Sequence, residues 1–248
     1  MSRFLHVVAA ERVKIGRLPI WLLVAVSPLM AALIGVFVNL DTPATAEGSK
    51  WPMLLGAMTM LHAVLLLPVL AGLLSAWVCR YEHAGGGWKQ LLALPVTRTT
   101  VYAAKLTMVV GLLGVCQLLL LLAVWLVGSY LGISEPFPWK MMLTSITGGW
   151  LACFPIAALQ LGASLGWSSF GLPLALNVSL TVPNLLILNS AKIAPFYPWA
   201  QPFLAMMPGT QQSTAALLLP IESLILTVSG SFIVFLCAGL LYFVRKEI

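Results

Sequence analysis

Apolar blocks long enough to cross a bilayer recur along this chain, divided by short polar stretches, and nothing else in it limits the fold so strongly. A transmembrane helix needs about 20 mainly apolar residues. Such blocks and their connections leave 248 residues with room for about six spans and no soluble catalytic domain. The blocks are continuously apolar, not alternating, which argues for helices over the strands of a closed barrel. Composition agrees, with 60% hydrophobic and 8% charged residues against about 25% charged in soluble domains. The expected fold class is an all-α membrane protein with six transmembrane helices.

Residues 1–18 are too short and too charged to span, yet Arg3, His6, Lys14 and Arg17 lie opposite Phe4, Val8 and Ile15 at near-helical spacing. This predicts an interfacial helix whose basic side chains snorkel to the headgroups. Basic residues spread to position 17, with no small-residue cleavage pattern, argue against a signal peptide. Spans are expected from about Pro19 to Val38, Trp51 to Val78, Thr107 to Leu131, Met141 to Leu165, Leu172 to Leu188 and Pro220 to Val244. Pro68 and Pro155 are placed to kink the second and fourth, and Pro173 with Pro183 to make the fifth irregular. Residues 189–219 mix four prolines with Phe196, Tyr197, Trp199 and Phe203. That predicts a broken segment at the interface, because irregular backbone does not face hydrocarbon and aromatic rings favour headgroup level.

Orientation follows from the basic residues. Arg3, Arg12, Lys14, Arg17, Arg80, Lys89, Arg98, Lys105, Arg245 and Lys246 fall on one side, ten of the thirteen Lys and Arg. Lys50, Lys140 and Lys192 fall on the other. Both termini and residues 79–105 are therefore expected in the cytoplasm, with residues 189–219 outside. The net charge of +6, so distributed, favours a membrane-lipid partner over nucleic acid.

Residues 79–105 form the most informative polar interruption. Gly85, Gly86 and Gly87 break the preceding helix, and Trp88, Leu91, Leu92 and Pro95 give one apolar face over two turns. Pro95 ends that short helix, and Thr97 or Thr99 is placed to cap the next. On physical grounds alone, an inner loop that shields its apolar face in lipid explains the pattern equally well.

Glu82, Gly86-Gly87-Trp88-Lys89, Leu91-Leu92-Ala93-Leu94-Pro95-Val96 with Arg98, and then Tyr102 and Lys105 resemble the signature of ABC type-2 transporter permeases. Trp88-Lys89-Gln90 and Leu94-Pro95-Val96 look most like the antimicrobial-peptide and lantibiotic self-immunity branch. The resemblance implies one permease domain over 1–248, with a cytoplasmic coupling helix that docks on a separate ABC ATP-binding subunit. Glu82, Gly86, Gly87, Trp88, Leu91, Leu94, Pro95 and Arg98 then become the ATPase-contact residues, Glu82 and Arg98 as its charged contacts. It further implies a second permease subunit, identical or related, in a bacterial plasma membrane. The implied cargo is an amphipathic antimicrobial peptide or hydrophobic antibiotic, expelled outward; a lipid, a polysaccharide or an unrelated drug is the alternative. The G-x-x-x-x-G-K-[ST] phosphate loop is absent, so ATP and magnesium belong to the partner and no cofactor to this chain.

His62 within the second span and Glu222 near the start of the sixth are intramembrane ionisable groups, and so candidates for substrate contact or gating. A neutral imidazole bonded to a neighbouring helix is the simpler account of His62. Tyr197, Trp199, Met206 and Met207 are candidates on the outer side, with interface anchoring as their simpler account. No metal-ligand spacing links Cys79, Cys116, Cys153 or Cys237, and no catalytic pairing points to an intramembrane enzyme. Gly128 with Gly132 and Gly162 with Gly166 permit close helix packing.

Overall fold

The computed structural model of the protein describes residues 3–15, 18–38, 50–84, 86–207 and 221–246, and every regular element among them is helical. α1 (Arg3–Ile15) is the amphipathic segment and α2 (Leu18–Val36) the first apolar one. α3 (Lys50–Leu61), a π-helical turn (His62–Leu66) and α4 (Leu67–His83) run on as one crossing of 34 residues. α5 (Gly87–Leu92) is the short helix of the polar interruption, followed by α6 (Arg98–Tyr130). α7 (Trp139–Ala152) and α8 (Phe154–Gly166) are two halves of the next crossing. α9 (Gly171–Thr181), α10 (Asn184–Ile187), α11 (Gln201–Met206) and α12 (Ile221–Arg245) complete the order.

Among the described residues, five segments are long and apolar enough to cross a membrane: Pro19–Val36, Lys50–His83, Arg98–Tyr130, Trp139–Gly166 and Glu222–Arg245. The stretch expected as the fifth of six spans is a shorter apolar segment, Gly171–Ile187. It breaks between α9 and α10, where Pro183 lacks an N–H and cannot continue the helix. Pro155 acts likewise in the fourth crossing, which breaks at Cys153. Pro68 instead follows the π-turn. The carbonyl it leaves without an α-helical partner, that of Val64, accepts from Asn184 Nδ2 at 2.8 Å.

α6 begins at Arg98, about two and a half turns before the expected start near Thr107, with the Thr97 side chain accepting from Thr100 N as its cap. The early start carries Lys105 inside the bundle. α6 ends in a Schellman motif: Ile133 N–H donates to Gly128 O and Gly132 N–H to Ser129 O, with Gly132 at φ +71°. Three of the four paired glycines serve packing within the chain, and Gly132 serves only the turn that ends α6. Gly128 faces the Trp51 ring, Gly162 faces Gly239 of α12, and Gly166 lies against Tyr242.

Polar groups collect at the two ends. At one, Lys50 N–H and Trp51 Nε1–H donate to Glu135, and Trp51, Phe137 and Trp139 stack edge to face. At the other, α1, α4, α5 and the beginnings and ends of α6, α8 and α12 meet. Residues 189–207 are broken as expected; from Ala194 onward they fold inward instead of resting on the surface, with Trp199 3% exposed and Met206 fully buried, while Ile193 and Phe196 stay exposed. Irregular backbone buried in protein is the form a membrane tolerates. Residues 208–219, the rest of that predicted segment, lie outside the described residues, as do Gly85, Gly16 and Arg17.

Candidate functional site: an ion ring behind the short helix and a polar seam through the bundle

Four charged side chains close a ring at the polar end. Lys14 Nζ bonds Glu11 Oε1 at 2.8 Å and Glu82 Oε1 at 2.5 Å, while Lys105 Nζ bonds Glu11 Oε2 at 2.9 Å and Glu82 Oε2 at 2.8 Å. Each carboxylate oxygen thus meets one ammonium, and the ring is neutral. The third Lys105 proton goes to Val78 O at 2.9 Å. Charges this deep persist only when paired and fully hydrogen-bonded; Glu11, Glu82 and Lys105 are at most 2% exposed. Burial works against the charge on Lys14, but hydrogen bonds and attraction from Glu11 and Glu82 outweigh it and raise its pKa above 10.5. The ring ties α1 to α4 and α6.

α5 is fastened to this ring through Trp88. Its indole lies 5.7 Å from Lys105 Nζ, edge-on to Phe243 of α12 at 5.4 Å, and donates from Nε1 to His83 Nδ1 at 3.2 Å. The other imidazole nitrogen lies 2.8 Å from Ser164 O, which only accepts. His83 is therefore the Nε2–H tautomer, accepting from α5 and donating to α8. Gly86, at φ +75°, turns the chain into α5, and Gly87 packs where a Cβ would stand 2.9 Å from Glu82 Cα.

The outer side of α5 and its following turn is open: Lys89, Gln90, Ala93, Leu94 and Pro95 are exposed, while Leu91 is half-buried. Glu82 and Arg98, the two charges singled out in sequence, point inward. Arg98 donates to the carbonyls of Phe243, Val244 and Lys246, so a cation closes the C-terminus of α12.

A second set of polar groups crosses the apolar interior. Ser27 Oγ lies 2.7 Å from His62 Nδ1, and Gln117 sits beside the imidazole. Gln117 Nε2 reaches Met206 Sδ at 3.5 Å, and Ser145 Oγ donates to Met206 O at 2.5 Å. Asn184 bridges Val64 O and Trp199 O, and Trp199 Nε1 donates to Asn177 Oδ1 at 2.9 Å. Asn177 reaches across to Pro68 O and Val69 O. Gly72 and Gly149 leave the room for Asn177 and Met206 to approach.

Of the gating candidates, His62, Trp199 and Met206 converge on the π-turn. Tyr197 and Met207 are half-buried at its margin, the Tyr197 hydroxyl donating to Leu180 O, and Glu222 is exposed at the start of α12. Sequence reasoning missed Glu11, Gln117, Asn177 and Asn184, and took Lys105 for a loop charge. Their shared signal is a polar residue set inside or beside an apolar run. Among the described residues, no cluster of His, Cys, Asp and Glu has the grouping to hold a metal ion.

No curated protein matches the chain. The family described as ABC-2 family transporter protein matches residues 7–184, which reach from α1, with its two ring residues, to the start of α10. With well over half its length matched, this chain belongs to the ABC-2 transporter family, as a multi-pass permease subunit that works with an ABC ATP-binding partner.

Proposed function

We propose that this chain is the membrane subunit of an ATP-driven exporter, with α5 as the coupling helix that receives movement from the ATP-binding subunit. One observation carries the reading: α5 is held from behind and open in front. Behind it, Trp88 engages the ion ring, His83 and α12. In front, Gly86, Lys89, Gln90, Leu94 and Pro95 are exposed to a partner. A push on α5 therefore passes to α1, α4 and α6 through the ring, to α8 through His83, and to α12 through Phe243 and Arg98. In this arrangement Glu82 and Arg98 serve behind the contact surface, while ATP and magnesium stay on the partner.

The ten-to-three division of basic residues supports a cytoplasmic α5 and cytoplasmic termini in a bacterial plasma membrane. A second permease, identical or related, completes the transporter. The cargo we assign is an amphipathic antimicrobial peptide or hydrophobic antibiotic, on the resemblance of Trp88-Lys89-Gln90 and Leu94-Pro95-Val96. The seam of His62, Trp199 and Met206 is the movable part that such a cargo pathway requires, with Tyr197 and Met207 on its margin.

Co-purification with the ATP-binding subunit tests the docking surface. Leu94→Asp and Lys89→Glu change only exposed side chains, so the permease is expected to insert and fold while losing the ATPase. Full retention of the ATPase by both variants would remove α5 as the docking helix. For cargo, cells expressing the complete transporter are expected to survive an added lantibiotic that kills cells lacking it. Equal killing, with altered surface lipid or polysaccharide, would overturn the peptide assignment.

A further inference from the structure

A cavity of about 250 Å³ opens at the polar end between the last turn of α4, the end of α8 and the turn that leads into α9. Its polar wall consists of Arg80, His83, Ser164, Ser168 and Ser169, and its deeper wall includes Ala76 and Pro173. We propose that this cavity binds the phosphate headgroup of an anionic phospholipid, independently of what the transporter carries.

The walls supply what a phosphodiester needs. Arg80 is exposed and meets no carboxylate among the described residues; its guanidinium lies 5.5 Å from the Trp77 ring centroid and 6.0 Å from that of Phe170. Two aromatic faces hold the cation in place and leave its edge free to donate, the geometry that suits a phosphate oxygen. Ser164 is 2% exposed, lines the cavity, and its Oγ has no hydrogen-bond partner. A helical serine ordinarily bonds back to the preceding turn, so a buried hydroxyl left without a partner points to a missing acceptor. Ser168 and Ser169 add exposed hydroxyls at the rim.

The surrounding charge favours an anion. Glu82, on the same helix as Arg80, gives both oxygens to Lys14 and Lys105. The terminal carbonyls of α8, at Leu165 and Gly166, are covered by Lys246 Nζ at 2.9 Å, which neutralises the negative end of that helix.

A lipid explains the cavity better than a free anion does. Its floor passes from the serines and Arg80 to Ala76 and Pro173, and the neighbouring surface of α9 exposes Leu172 and Val178, with Val182 exposed just after it. An acyl chain anchored by its headgroup has an apolar track to follow. Basic pockets between spanning helices recognise lipid headgroups in this manner. The volume falls just short of the range of about 300 Å³ and above that whole drug-sized ligands occupy, so it holds a headgroup and leaves the chains in the bilayer.

Native mass spectrometry of the full chain, released from nanodiscs that contain phosphatidylglycerol and phosphatidylcholine of matched acyl chains, tests this. Wild type is expected to keep phosphatidylglycerol selectively, and Arg80→Gln to lose about five- to tenfold of that preference. Ser164→Ala, a smaller change inside the cavity, is expected to weaken it in the same direction. Arg12→Gln removes an exposed cation from α1 instead and is expected to leave retention near wild type. Equal losses in Arg12→Gln and Arg80→Gln would reduce the effect to general surface charge and overturn the site. Release of the bound lipid by inorganic phosphate alone would overturn the lipid assignment as well.

Discussion

Lys105 shows how much one residue holds at the polar end. It is fully buried, yet all three ammonium protons have acceptors: Glu11, Glu82 and Val78 O. Replacement by methionine would keep the volume and leave two buried carboxylates facing Lys14 alone. Removing one partner from a buried ion pair costs about 3–5 kcal/mol, while replacing the set with apolar groups is often neutral. Lys105→Met is therefore expected to lower the thermal midpoint of the detergent-solubilised protein sharply, and Lys105→Met combined with Glu82→Gln to recover much of the loss. Additive losses would contradict a closed ring. The same melts followed against pH carry the sign of Lys14. Its folded pKa lies above the unfolded value of 10.5, so its contribution is complete below about pH 10.5 and disappears as pH rises through the folded value.

At the scale of elements, residues 197–206 depart furthest from the sequence expectation, and the reason is physical. Tyr197, Trp199 and Phe203 carry the composition of an interface belt, and composition alone does not tell an amphipathic ring at headgroup level from one buried against a polar helix. Here Asn177 and Asn184 supply acceptor and donor inside the bundle, so Trp199 has a partner there. Asparagines in a span reveal a cost that some other segment must meet, without naming the segment. Cysteine labelling separates the two arrangements. In a Cys237→Ser background, where the remaining native cysteines are buried, Lys192→Cys is expected to react quickly with a membrane-impermeant maleimide. Met206→Cys, in a position fully shielded from solvent, is expected to react at least tenfold more slowly. Comparable rates at both sites would put α11 back on the surface. The helices that were legible beforehand are the long ones, because apolar length is a local property; Pro155 and Pro183 also declared their breaks locally. The second crossing was legible from Trp51 to Val78, but its π-turn, its extension to His83 and the early start of α6 were not, since these depend on partners distant in sequence.

Across the whole molecule, α5 reaches α4, α6 and α12 through the single side chain of Trp88, and it was visible in the sequence as a glycine break, a short apolar face and Pro95. Its attachments were hidden, because Trp88 reads equally well as a membrane-facing ring. In the fold, that indole is the hinge pin between the docking surface and the helices behind it: its ring packs on Lys105 and Phe243, and its N–H passes to His83 and on to Ser164 O. The two roles are separable by substitution. Trp88→Phe keeps an aromatic ring of smaller area and removes the N–H, while Lys89, Leu94 and Pro95 stay available to the partner. If His83 transmits movement to α8, the Trp88→Phe transporter is expected to retain its ATP-binding subunit in full, with cargo-stimulated ATPase activity reduced severalfold. His83→Asn offers a shorter donor in place of the imidazole and is expected to show the same loss, with no further decrease in the double variant, because both substitutions break one path. Stimulation at the wild-type level in both single variants would exclude His83 as a route and leave the ion ring and the Phe243 contact to α12.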